Sequence, residues 1–283
     1  MELNFVKRLV IYIILLIIAI ATMVMIKNNM NKSDKVLLDR DYQEIFSTGE
    51  LNVVTGYDNI GYYVMGDTLA GFNYELLKKL EKDWHIDVNI FIDNSLNKSI
   101  KGLESQKYDI IARNIPINSD LVELLQFTES LSYDKVVLVQ RKAEYNNGKE
   151  PVRQHIDLAR KKIYIPYDSP AKMRIDNLSH EIGDTIYVVE DPVYSEEQLM
   201  MMVADGDIDF TVCSEKMIKK MSRDFPELDV ETDISFTQIE SWAVRKTSPE
   251  LLDSLNTWLR HLKSSGEFDD IYEKYLVTNV DVR

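Results

Sequence analysis

The sequence predicts an α/β protein of two lobes with largely parallel sheets, preceded by one N-terminal transmembrane helix. Three observations carry this reading. Strand-like runs alternate with helical ones from residue 51 onward. Two segments, 99–114 and 198–214, repeat one order of helix, polar turn and strand. An uncharged apolar run occupies residues 9–26.

Composition bounds the function. The 283 residues are 45% hydrophobic and 28% charged, a globular balance. The formal net charge of −14 argues against nucleic acid as a partner, because binding phosphates needs a basic surface. Cys213 is the one cysteine, so no intrachain disulfide forms. His85, His155, His180 and His261 are scattered, with no H-E-x-x-H and no Cys/His cluster, so neither a metal nor a cofactor is expected.

The apolar run follows Lys7 and Arg8 and is 18 residues long. At 1.5 Å per helical residue it reaches about 27 Å, close to the thickness of a bilayer core. A secretory apolar region is shorter, about 7–15 residues, and ends at a small-residue cleavage site. Ala19 and Ala21 resemble such a site, but cleavage there leaves an apolar new terminus. The reading is an uncleaved anchor at 1–27, a polar tether at 28–46 and an ectodomain beyond the membrane.

The elements follow in order. Residues 51–55 are a short β run. Phe72, Leu76, Leu80 and Trp84 recur every four residues on one face of a helix. Residues 86–92 alternate with period two, 97–106 form a short helix, and 108–112 and 135–140 are strands. After a polar stretch, 163–166 and 185–190 are strands. Ser195 and Gln198 form a capping box for a helix to Ala204. A strand at 208–213 leads to a helix at 214–225. Ser248 and Pro249 open a long helix whose apolar side carries Leu251, Leu255, Trp258, Leu259 and Leu262.

Each of the two repeated segments places polar residues just past a strand's C-terminal end, where open α/β sheets bind ligands. Two such lobes facing each other make a cleft. Tyr57, Tyr62 and Tyr63 follow the first strand and offer stacking faces, with ordinary packing as the alternative. Arg113 and Asn114 follow the 108–112 strand as donors for an anion or a sugar hydroxyl, with an ion pair as the alternative for Arg113. Asp168 and Ser169 precede a helix N-terminus, a place for a polar contact. No G-x-S-x-G and no placed nucleophile–histidine pair is present, so the reading is a binder rather than a cell-wall hydrolase.

Four stretches carry a resemblance. Residues 71–77, beginning Gly71 and Phe72, match a "G-F-x-x-D-L" helix start. Residues 103–112 resemble "L-x-x-G-x-x-D", and 126–131, around Phe127, resemble "D-F-S-x-P-Y". Residues 197–212 match a second-lobe "V-x-x-G-x-x-D". In this order the chain resembles the type 2 periplasmic solute-binding proteins, family 3, over about 47–276. Within that family, residues 226–230 and 241–246 resemble the binding domain of the membrane-bound lytic murein transglycosylase F group. With the sequence ending at Arg283, that likeness implies the binding module without its catalytic domain.

The resemblance implies a two-lobed periplasmic-binding-protein type 2 fold with hinge crossovers. Lobe 1 would be 47–140 plus 242–276, lobe 2 141–241 and the tail 277–283, with crossovers at 137–139 and 242–244. It implies capture of a small polar ligand, such as a muropeptide, for a transporter permease or a cell-wall enzyme. The alternative is a ligand-less regulatory or scaffold module of peptidoglycan machinery. Amino-acid-binding members clamp the ligand carboxylate with an arginine six residues before the Phe; Leu121 stands there. Ser214 stands where an acid takes the ligand amine, with Glu215 beside it. Asn118 replaces a frequent Thr. The departures at Leu121 and Ser214 imply weak binding of free amino acids, while Asn118 is a candidate for a polar ligand contact, with helix capping as the alternative.

Overall fold

The structure, a computed structural model, describes residues 22–23, 40–221 and 224–277. Helix α1 (Tyr42–Thr48) leads to β1 (Glu50–Thr55), the hairpin β2 (Tyr63–Met65) and β3 (Thr68–Ala70), α2 (Phe72–Trp84) and β4 (Asp87–Ile92). Next come α3 (Leu96–Glu104), β5 (Ile110–Pro116), α4 (Ser119–Leu124), β6 (Leu125–Phe127) and β7 (Ser132–Asp134). The second lobe holds β8 (Val136–Arg141), β9 (Lys162–Pro166), α5 (Ala171–Ile182), β10 (Tyr187–Asp191), α6 (Glu196–Asp205), β11 (Thr211–Ser214), α7 (Glu215–Met221) and β12 (Leu228–Asp233). The chain returns through β13 (Gln238–Arg245) to α8 (Pro249–Ser265) and α9 (Glu267–Leu276).

Each lobe is a sheet between helices. The first sheet runs β4-β1-β5-β13-β6, with β7 also on β13; the second runs β10-β9-β11-β8-β12. Because strand side chains alternate, each strand feeds two cores. Leu51 and Val53 join α1, α2 and α8 on one face, while Val54 joins α3 and α4 on the other. In the second lobe Ile163, Ile165 and Val212 pack on α5, and Val137, Val139 and Cys213 pack on α6. Trp242 is fully buried and donates Nε1–H to Asn73 Oδ1 at 2.8 Å.

The sheets are mixed rather than largely parallel. β4, β1 and β5 are parallel, as are β10, β9 and β11, but β13 is antiparallel to β5 and β8 is antiparallel to β11. The antiparallel members, β8 and β13, are the strands that enter each lobe after the chain has passed from the other. Val137–Val139 lie inside β8 and Trp242–Val244 inside β13, so the crossovers expected there fall earlier. They lie at Lys135, between β7 and β8, and over residues 234–237, between β12 and β13.

Part of the expected tether is folded. Asp41 caps α1 by accepting from the Tyr42 N–H at 2.8 Å, Ile45 is fully buried, and Phe46 meets the Trp84 ring at 5.4 Å. Among the described residues no helix is long and apolar enough to cross a membrane. The apolar run 9–26 lies outside the described residues except for Thr22 and Met23.

Candidate functional site: the interlobe cleft

The lobes enclose a cleft of about 630 Å³. Its walls come from the loop after β1, the C-terminal half of β5, the turn after β9, the start of α6 and the end of β11. Carboxyl ends of parallel strands thus face one space, the usual ligand position in open α/β sheets.

Arg113 is the central cation. It lies within β5, not beyond it, and is half-buried. Its Nη1 donates to the Asn94 carbonyl at 3.1 Å. Burial pulls its pKa down, while Asp58, Glu196, Asp168 and Asp93 act in the opposite sense from longer range. Among the described residues it makes no ion pair. Gly56 lies beside it: a Cβ there would sit 3.5 Å from the guanidinium carbon, in ordinary contact.

Carboxylates surround this cation. Glu196, the first residue of α6, is pushed up to about 7 by burial, with Asp134 and Asp58 adding to the rise; the Ser214 backbone and Arg113 oppose it. Burial also raises Glu197, helped by Asp58. Asp58 accepts from the Ile60 N–H at 2.8 Å, which fixes the loop after β1. Toward the hinge, buried Glu240 accepts from Lys216 Nζ at 2.6 Å and from Ser132 Oγ at 2.7 Å. Desolvation still holds Glu240 above the ordinary carboxylate range.

Of the residues singled out from sequence, Tyr57, Arg113, Asn114, Asp168, Ser169 and Ser214 line the cleft. Asn114 Nδ2 donates to Ser132 Oγ at 3.1 Å, and its buried Oδ1 has no partner among the described residues. Ser214 spends its hydroxyl on Asp134, and Ser169 Oγ accepts from the Ala171 N–H at 3.3 Å. The Asp168 carboxylate is engaged by Ser95 and Asn97 of the first lobe. Tyr62, Tyr63 and Asn118 do not line the cleft. Tyr62 is 6% exposed and packs edge-on against Tyr74 at 5.7 Å. Tyr63 starts β2 under Lys220, 4.7 Å from the ring centroid. Asn118 is the N-cap of α4 and accepts from the Leu121 N–H at 2.9 Å.

Leu121 lies in the core beneath the sheet, on the α3–α4 side. Glu215 is tied to Lys219 at 2.9 Å and Lys135 at 3.4 Å. Groups of opposite sign nevertheless line the same cleft, Arg113 from β5 and Glu196 from α6. Sequence reasoning missed Glu196, Glu197 and Asp58. Glu196 and Glu197 read as ordinary acids of a helix first turn, and only folding brings that turn against Arg113. Among the described residues no group of His, Cys, Asp and Glu side chains could hold a metal ion.

Comparison with known proteins agrees with the two-lobed fold. Membrane-bound lytic murein transglycosylase F of Aeromonas salmonicida is 28% identical over 243 residues, 84% of this chain and 47% of the relative. The same-named protein of Photobacterium profundum is 24% identical over 238 residues, 83% of this chain and 45% of that one. The chain therefore spans about half the length of the curated relatives it matches. Among solved structures, a mutant of ArgBP from T. maritima superposes with a TM-score of 0.69 at 22% identity, covering 82% of this chain and 97% of that one. AbpA from Streptococcus pneumoniae, bound to L-arginine, gives 0.70 at 19% identity, covering 85% and 100%. The family model for bacterial extracellular solute-binding proteins, family 3, matches residues 51–278, and the chain belongs to that family.

Proposed function

We propose that the chain captures a small solute carrying both charges, with an anionic group on Arg113 and a cationic group toward Glu196 and Glu197. The observation that carries this is Arg113 itself: a desolvated guanidinium in the cleft without an ion-pair partner among the described residues. Guanidinium groups bind carboxylates through paired N–H donors, so an anionic group on the solute would supply what the protein withholds. The volume of about 630 Å³ lies within the range of small-molecule sites and leaves room for more than a free amino acid. The neighbouring AbpA structure holds L-arginine, a solute of this charge type. The test is calorimetry of wild type and Arg113→Ala against amino acids, dipeptides and muropeptides.

The proposed setting is the bacterial envelope. Residues 9–26 would tether the chain to the inner membrane, and the loaded lobes would present the solute to a transporter permease or a cell-wall enzyme. A second reading is favoured by the relatives, which are named as murein transglycosylases. In it, the module reports on cell-wall fragments to peptidoglycan machinery. Muropeptide binding without amino-acid binding would select this second reading.

A further inference from the structure

Asp168 follows β9 in the second lobe and carries a positive φ of 62°. That left-handed conformation costs a non-glycine residue about 1 kcal/mol or more, so something else must hold it. Its N–H donates to Glu190 Oε1 at 3.2 Å. Its carboxylate reaches across the cleft to the first lobe. There it accepts from Ser95 Oγ at 2.6 Å, from the Asn97 backbone N–H at 3.0 Å and from the Asn97 side-chain amide. Ser95 is the N-cap of α3 and Asn97 is its second residue. The first N–H groups of a helix lack intrahelical acceptors and form its positive end. Helix α3 is thus capped by its own Ser95 and also by a carboxylate from the opposite lobe.

A separate cross-lobe contact lies at Asn59. Lys220 of α7 donates to the Asn59 carbonyl and stands 4.7 Å over the Tyr63 ring, while the Asn59 backbone hydrogen-bonds Glu197. All of these contacts run directly between protein groups of the two lobes.

We propose that Asp168 is a closure latch, holding the lobes together on the N-terminus of α3 whether or not the cleft is filled. Its carboxylate then acts on the lobes rather than on the ligand. The proposal stands whatever the cleft binds. Hydrogen bonds to a charged group shift an equilibrium by roughly tenfold or more, so removing the carboxylate should move the closed-to-open ratio by at least that factor.

The test is hydrogen–deuterium exchange on the full-length, ligand-free chain. In Asp168→Ala, amides at 96–98 should exchange roughly tenfold faster, and the loop at 59–63, whose cross-lobe partners lie on α6 and α7, should speed up with them. Asn97→Asp, which sets a second carboxylate against Asp168 from the other lobe, should give the same pattern and guards against a misfolded Asp168→Ala. Faster exchange confined to 96–98, with 59–63 unchanged in both variants, would reduce Asp168 to a local cap and overturn the latch. So would wild-type exchange at 59–63 as fast as in the variants.

Discussion

Arg141 and Arg245 make the same contacts in the two lobes. Arg245, at the end of β13, donates through Nη1 to the carbonyls of Leu103 and Tyr108 and through Nη2 to Asp109 at 3.2 Å. Arg141, at the end of β8, donates through Nη1 to the carbonyls of Val203 and Ile208, at 2.8 and 2.9 Å, and through Nη2 to Asp209 at 3.0 Å. Each arginine thus ties a helix C-terminus and the following turn to the strand that enters its lobe. The repeated spacing, Leu103 to Asp109 and Val203 to Asp209, is the sequence trace of this clamp, with Gln106 in the first lobe where Gly206 stands in the second, so its aspartates serve the fold and not the ligand.

The two clamps differ in burial, which makes them separable. Asp109 is fully buried and also accepts from Arg40 Nε at 2.9 Å and the Asn52 N–H at 2.9 Å. Asp209 has a side chain 59% exposed. Asp109→Ala strands buried Arg245 and should cost about 3–5 kcal/mol, whereas Asp209→Ala should cost under about 1 kcal/mol. Urea unfolding of the two variants checks this; equal losses would contradict it.

Gly71 should tolerate no side chain. Its φ is +131°, and a Cβ there would stand 2.7 Å from the Tyr62 backbone nitrogen and run into the Gly61 carbonyl. Gly71→Ala should lower stability by about 3 kcal/mol or more, read as a falling thermal midpoint. In the second lobe, Gly206 takes φ +88° as the C-cap of α6, and the first lobe places Gln106 at φ +58° in the matching position. Gly206→Ala should cost about 1 kcal/mol, because its Cβ meets only the Arg141 guanidinium at 3.5 Å.

Much of this fold was legible in the sequence. Phe72, Leu76 and Leu80 marked the buried face of α2, and the capping box of Ser195 and Gln198 is present as read. The repeat of 99–114 in 198–214 is real at the level of the arginine clamps. Short elements escaped: α1, the β2–β3 hairpin, α4, β6 and β7 are each held by tertiary contacts rather than by periodicity. The cleft was half legible. Arg113 stood out as a cation near a strand end, but its partners of opposite sign come from α6 and from the loop after β1. Tyr62 and Asn118 share the residue types of binding groups, yet packing and capping consume them.

Proton linkage gives a further expectation. Glu196 titrates at about 7 in the folded chain against an ordinary 4.5, so the native state holds its proton more tightly than the unfolded one. The stability this contributes is complete below pH 4.5 and is lost as pH rises through about 7, a change of ~3 kcal/mol at most. Glu197 and Glu240 shift in the same direction. Chemical denaturation of the ligand-free protein from pH 4.5 to 8 should show this decline, and Glu196→Gln should flatten it. An unchanged slope in Glu196→Gln would assign the effect to Glu197 and Glu240.

In the proposed complex Arg113 receives the anionic end of a solute in the interlobe cleft. Removing one partner of a desolvated charged contact costs about 2–5 kcal/mol, roughly 30-fold to several thousand-fold in affinity. The direct measurement is isothermal titration calorimetry of wild type and Arg113→Ala with the same panel of amino acids, dipeptides and muropeptides. A solute bearing both charges should bind the wild type, and its affinity should fall at least ~30-fold in Arg113→Ala. A solute bound equally tightly by both proteins would contradict it.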